Sequence, residues 1–204
     1  MIKKIFTTIA VICCALTLTA CNDNETTQNN VPPQEGNTEI NTPIDNDNAI
    51  IAYFSWSGNT EAVANEIQNQ TGASIFKINP QNPYTDDYDD LLDIAQEEQR
   101  NDARPAIEGT IDNFDDYTTV YLGYPNWWGD MPMIIYSFLD DYDLSGKTII
   151  PFCTSGGSGF SSSIETIQNM EPNAAVLEGL SISDDNAEDA ASEIQSWLAD
   201  LEGE

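Results

Sequence analysis

A three-layer α/β sandwich, doubly wound around a five-stranded parallel sheet, is the fold class that the sequence predicts. Two observations carry it. Short apolar runs alternate with stretches of helical periodicity from Ala49 onward, and the loops after the first, third and fourth runs are rich in Gly, Ser, Thr and Asn. Parallel strands covered on both faces are apolar throughout rather than alternating, which is how these runs read. Right-handed crossovers between successive strands then favour the doubly wound arrangement, with ligands expected at the carboxyl ends of the strands.

The strands are expected at residues 49–54, 73–78, 118–124, 148–153 and 175–179, each dominated by apolar or β-branched side chains. Helices are expected between and after them at 60–70, 87–101, 132–142, 161–169 and 187–201. The last helix carries Ala191, Ile194, Trp197, Leu198 and Leu201 on one face. A domain of about 156 residues, spanning 49–204, buries roughly 70% of its unfolded surface and can stand alone.

What precedes the domain has a different texture. Residues 1–20 combine Lys3 and Lys4 with an apolar stretch too short to span a bilayer comfortably, which reads as an export signal. It ends on Leu18-Thr19-Ala20-Cys21, which resembles the lipobox of bacterial lipoproteins and implies that Cys21 receives diacylglycerol; an ordinary signal peptide is the alternative. Residues 21–48 hold Asn, Thr, Asp, Glu, Gln and Pro with almost no large apolar residue, the composition of a disordered acidic and polar tether. As a flexible coil it would span on the order of 30 Å. The expected location is exported and lipid-anchored, on the outer face of the cytoplasmic membrane or the periplasmic side of the envelope, with no other membrane contact.

Composition excludes several chemistries. The 204 residues contain no His, which removes Ser-His-Asp catalysis and His-ligated zinc. Of the four cysteines, Cys13 and Cys14 lie in the signal and Cys21 at its end, leaving Cys153 alone in the domain, so neither a disulfide framework nor a cysteine metal site is expected. The formal net charge is −29, and without Lys3 and Lys4 it becomes −31. Such a surface repels phosphate backbones, so nucleic acid is not an expected partner and a cationic protein is.

The loop after the first strand, Ser55-Trp56-Ser57-Gly58-Asn59-Thr60, is shaped for an anion. The first amides of a helix lack internal acceptors and carry the positive end of its dipole, hydroxyls add donors, and glycine permits close backbone approach. No Lys follows as in a nucleoside-triphosphate loop, and no Gly-x-Gly-x-x-Gly spacing is present, so a single phosphate is the expected occupant. The pattern Ser55-x-Ser57-Gly58-Asn59-Thr60 resembles the phosphate loop of flavodoxins, which grips the monophosphate of FMN.

Two further loops extend the resemblance. Gly123-Tyr124-Pro125-Asn126-Trp127-Trp128-Gly129-Asp130-Met131-Pro132 follows the third strand, and Cys153-Thr154-Ser155-Gly156-Gly157-Ser158-Gly159 follows the fourth. Flat indoles at a strand end can stack on a planar ligand, and a glycine-rich loop exposes backbone groups to its edge. Trp127 and Trp128 could equally plug the gap between sheet and helix. In a sheet ordered 2-1-3-4-5 all three loops meet at the crevice where the strand order reverses. The resemblance implies FMN contacts from Ser55, Trp56, Ser57, Gly58, Asn59 and Thr60, from Pro125, Asn126, Trp127, Trp128 and Gly129, and from Thr154, Ser155, Gly156, Gly157, Ser158 and Gly159. It departs at Ser155, where relatives often place His, and in lacking a Tyr in the third loop.

Several neighbouring residues receive structural roles. The stretch 82–88 either folds over the site or caps the following helix, the cap through Asp86 being the favoured role, and Cys153 is expected to be a small buried hydrophobe. The carboxylate pairs Asp115-Asp116 and Asp140-Asp141 are expected on solvated surface, and no catalytic or metal-ligating residue is assigned.

The resemblance implies an electron-transfer protein whose redox partner is a cationic protein, with a low flavin potential expected in so negative a field. An NAD(P)H-dependent reductase of quinone-type acceptors is the alternative. A flavin-free binding lipoprotein is a third reading from another class.

Overall fold

The computed structural model describes residues 46–203. The expected signal segment, Cys21 and the expected tether up to residue 45 lie outside the described residues. Asn46–Asn48, where the tether is expected to end, form a 3-10 turn bonded to the domain: Asn46 Oδ1 accepts from the Tyr121 hydroxyl at 2.9 Å and Asn48 O accepts from Thr118 N at 2.9 Å.

The elements run β1 (Ala49–Tyr53), α1 (Asn59–Thr71), β2 (Ser74–Lys77), β3 (Asn79–Pro80), α2 (Tyr88–Arg100), β4 (Ile107–Glu108), β5 (Thr119–Pro125), α3 (Met133–Asp141), β6 (Thr148–Ser155), α4 (Ser163–Met170), β7 (Ala175–Val176), β8 (Leu180–Ser183) and α5 (Ala191–Gly203). The main sheet is parallel, in the order β2-β1-β5-β6-β7 with β8 also on β6. This is the expected 2-1-3-4-5 order, with the fifth position divided between two short strands. A two-residue antiparallel pair, β3 with β4, was not expected.

Strand periodicity sorts the core into two layers. On one face Ile51, Tyr53, Tyr121 and Phe152 pack with Val63 and Ile67 of α1 and with Ile194, Trp197 and Leu201 of α5. On the other, Ile50, Ala52, Val120, Leu122 and Ile149 pack with Ile134 and Phe138 of α3 and Ile167 of α4. β1 is buried along its whole length, which is why it reads as an unbroken apolar run.

The fifth strand breaks for a local reason. Val176 pairs with Ile149 and Leu180 with Phe152, so the edge advances four residues while β6 advances three. Residues 177–179 thus stand against Ile150 and Pro151 alone; Pro151 has no N–H to give a neighbour, and a Cβ on Gly179 would lie 2.6 Å from the Pro151 carbonyl oxygen. The cap of α2 also differs from expectation by one residue: Asp87 accepts from Asp90 N at 3.1 Å, and Asp86 precedes it.

Lys147 is buried, and its ammonium donates to the carbonyls of Phe114, Asp115 and Tyr117 at 3.2, 3.4 and 2.5 Å while lying 4.9 Å from the Phe114 ring centre. Carbonyl dipoles at the end of a 3-10 turn thus stabilise the buried cation.

Gly123 decides how closely β5 and β6 pack. A Cβ there would lie 2.1–2.8 Å from three Phe152 ring atoms. Gly123→Ala is expected to cost about 1–3 kcal/mol of overpacking strain, read as a lower urea midpoint with an unchanged slope; an unaltered midpoint would show that the ring has room to move.

Candidate functional site

Three strand ends place three loops side by side. After β1, the Ser55 hydroxyl is buried and accepts from Gly58 N at 3.1 Å, folding the loop back on itself. Gly58 has φ 97°, a left-handed conformation natural to glycine, and delivers the chain into α1 with no side-chain cap on the helix. The amides of Asn59, Thr60 and Glu61 therefore have no acceptor within the helix or from a capping side chain. Ser57 is exposed beside them. Glu61 is the acidic group of this first turn, and the hydrogen bond from Lys77 at 2.8 Å is the main cause holding its carboxyl below the usual range. That ion pair offsets the charge that would oppose an incoming anion.

After β5, Trp127 to Asp130 closes a tight turn with Trp127 N to Asp130 O at 2.8 Å and Asp130 N to Trp127 O at 3.2 Å. Trp128 at φ 54° and Gly129 at φ 80° are the two left-handed centres of a type I′ turn. A bulky residue in that region is strained, and the turn presents Trp128 outward at 49% exposure, its indole N–H donating to Leu92 O at 3.1 Å. Trp127 is half-buried, edge-on to Phe54 and Tyr84 with ring centres 5.3 and 5.5 Å away. Trp127 thus fills the gap between sheet and helix, while Trp128 stands exposed at the rim of the loop. Asp130 accepts from Met131 N, the Tyr136 hydroxyl and the Thr166 hydroxyl. Burial, reinforced by Asp130, pushes Tyr136 up to about 12.

After β6, the buried Ser155 hydroxyl accepts from Gly157 N at 3.3 Å and Gly159 N at 3.0 Å, curling the glycine loop around itself. Thr154 and Thr60, both buried, share a hydroxyl contact of 2.9 Å that ties this strand end to the first turn of α1.

Between the loops lies a cleft of about 430 Å³. Trp56, Ser57, Asn59, Pro125, Asn126, Trp127, Trp128, Thr154 and Gly156 line it, as the sequence predicts. Among the other predicted contacts, the Ser55, Thr60 and Ser155 hydroxyls are buried in protein bonds, Gly58 and Gly129 supply turn geometry, and Gly157, Ser158 and Gly159 form the glycine loop beside the cleft. Sequence reasoning missed Tyr88, Leu91, Leu92 and Ala95, which make one wall. Their helical spacing was visible, but an apolar stripe on α2 reads as a core face. Asp184, after β8, also lines the cleft, and nothing in its neighbourhood marks it. The 82–88 stretch takes part as well as capping: Trp56 donates to Thr85 O at 2.8 Å, and Tyr84 packs on Trp127.

Cys153 is fully buried, and burial is the main cause that pushes its thiol up to about 11, so it has the character of a small hydrophobe. No group of three His, Cys, Asp or Glu side chains that could hold a metal occurs among the described residues.

A family profile described as Flavodoxin matches residues 48–201. The chain belongs to the flavodoxin family. No curated protein matches it. Among solved structures, this flavodoxin-family chain is similar to a candidate flavoprotein from Bacteroides eggerthii at 31% identity, over 75% of this chain and 96% of that one, with a TM-score of 0.65. A candidate flavoprotein from Bacteroides uniformis aligns at 29% identity over 74% and 97% of the two chains, TM-score 0.67. A flavoprotein of Lactobacillus acidophilus, solved in complex with FMN, shares the fold at 24% identity over 74% and 97%, TM-score 0.60.

Proposed function

We propose that the domain binds FMN and serves as an electron-transfer protein. The observation that carries this reading is the uncapped first turn of α1, with Ser57 exposed beside it, opening into a cleft walled by indoles. The donor set fits the cofactor: amides and a hydroxyl suit a phosphate, while Trp56, Trp128 and the backbone of Gly156 suit the edge and face of a planar ring. FMN bound there would supply reversible electron transfer.

The chain's own residues bind, orient and shield. The amides of Asn59 and Thr60 and the Ser57 hydroxyl would hold the phosphate, and Lys77 keeps the Glu61 carboxylate compensated. Trp127, locked by Phe54 and Tyr84, excludes water from the floor of the cleft, and Trp128 and Tyr88 border its open side. Asp184 at the wall and the exposed Asp86, Asp87, Asp89, Asp90 and Asp93 set a negative local field. That field favours a basic redox partner and opposes NAD(P)H, which is why a carrier is preferred to a reductase.

Fluorescence titration of the purified protein tests the cofactor. FMN is expected to be quenched on binding, and Ser57→Ala to weaken FMN by about tenfold while leaving riboflavin, which lacks the phosphate, unchanged. Absence of FMN binding by the unmodified protein would overturn the reading. The negative field is expected to place the midpoint potential below that of free FMN and to let it rise with ionic strength as charges are screened; a midpoint at or above free FMN would count against it.

We further propose that a lipid on Cys21 tethers the domain to the cell envelope, supported by the short apolar leader and the Leu18-Thr19-Ala20-Cys21 sequence. Cys21→Ala is expected to move the protein from the membrane to the soluble fraction, and unchanged membrane recovery would refute the anchor.

A further inference from the structure

The two loops after β5 and β6 are sewn together by hydrogen bonds from two residues, Asn126 and Ser162. Asn126 Nδ2 donates to Gly159 O at 2.6 Å and to Ser161 Oγ at 3.0 Å, while its Oδ1 accepts from Gly129 N at 3.1 Å. An Asn amide has two N–H groups, and both are spent here on the glycine loop. The orientation of the amide is unambiguous, because Gly159 O can only accept and Gly129 N–H can only donate. From the other side, Ser162 N and Ser162 Oγ donate to Gly129 O at 3.1 and 2.7 Å.

The seam holds backbone that would otherwise relax. Five residues within it are left-handed: Trp128, Gly129, Gly157, Gly159 and Ser161, with φ between 49° and 111°. Two of them, Trp128 and Ser161, carry side chains that disfavour the conformation, and such residues persist only where their surroundings over-determine them. The Gly159 peptide shows how: its N–H is held by Ser155 Oγ and its carbonyl by Asn126. A free loop of this composition would have to be ordered at the moment of binding, at the expense of affinity.

We propose that Asn126 is a positioning residue that preorganises the ring-side half of the cleft before any ligand arrives, acting through the Gly129 turn and the 156–161 loop rather than by donating to the ligand. This rests on the FMN reading for its ligand, and its first measurement needs none. Asn126 lines the cleft, so direct contact and positioning must be separated, and Ser162, which does not line it, does so.

Hydrogen exchange on the flavin-free protein provides the first arm. Asn126→Asp, which keeps the acceptor and loses both donors, and Ser162→Ala, which removes one bond from the opposite side, are each expected to raise exchange at the Gly157 and Gly159 amides. Amides of β1 and β5 should stay as protected as before. In the second arm, riboflavin is expected to lose affinity by about tenfold in Asn126→Asp, and FMN and riboflavin by one and the same smaller factor in Ser162→Ala, which adds no charge. An equal loss marks a ring-side effect, in contrast to the phosphate-selective loss expected of Ser57→Ala. Unchanged exchange in both variants overturns the proposal, as does an affinity loss confined to Asn126→Asp with exchange unaltered, which would make Asn126 a ligand contact. If the unmodified protein binds neither flavin, the proposed function fails while the exchange arm still decides whether the seam orders the loops. Should Asn126→Asp lose its far-ultraviolet circular dichroism, Ser162→Ala carries both arms alone.

Discussion

The parallel pairing of β5 with β6 is the constraint on which the rest depends. Seven residues of each strand are in register from Thr119 with Thr148 to Pro125 with Thr154, so both strands end level and their loops start together. Close packing in this register depends on Gly123, over which the Phe152 ring lies on the α1 side of the sheet. β1 pairs with the other edge of β5 and brings the third loop to the same end. The site is thus a by-product of strand direction: parallel strands deliver every carboxyl end to one rim.

Hydroxyls serve this rim in two ways. Ser55, two residues past the end of β1, and Ser155, the last residue of β6, turn inward and accept the amides of the loop that follows. Ser57 and the first-turn amides of α1 are left facing outward. An internal acceptor satisfies amides that would otherwise be orphaned in a buried bend, which lets the chain turn sharply without a ligand present. Polar residues of the same type therefore divide between making the loop and offering it.

Much of this was legible. The five helices and the strands β1, β2, β5, β6 and β7 were visible as helical periods or apolar runs, most plainly β1 and β5, which burial on two faces leaves almost free of polar residues. By contrast, β8 at Leu180–Ser183 falls beyond the expected 175–179 strand, because its alternating apolar and Ser residues make no continuous run. The three loops were visible because glycine, hydroxyl and indole residues cluster only at those strand ends. Other features depended on partners far away in sequence. That Thr60 bonds to Thr154, or that Asn126 spends its amide on Gly159, follows from adjacency across strands and has no local mark. The wall from α2 had no mark of its own, because Leu91, Leu92 and Ala95 look the same whether they face a core or a cleft. Pro151, inside an apolar strand, did carry a readable warning that the neighbouring strand would be interrupted.

That interruption bears on how the molecule behaves in company. An unbroken outer strand offers a row of free amides and carbonyls on which another polypeptide can begin to stack, the first step toward fibres. Here the row is cut after Val176 and shifted by one residue before Leu180, so an incoming strand would lose register halfway along. Continuous strand pairing along this side is disfavoured by geometry, in addition to the net negative charge.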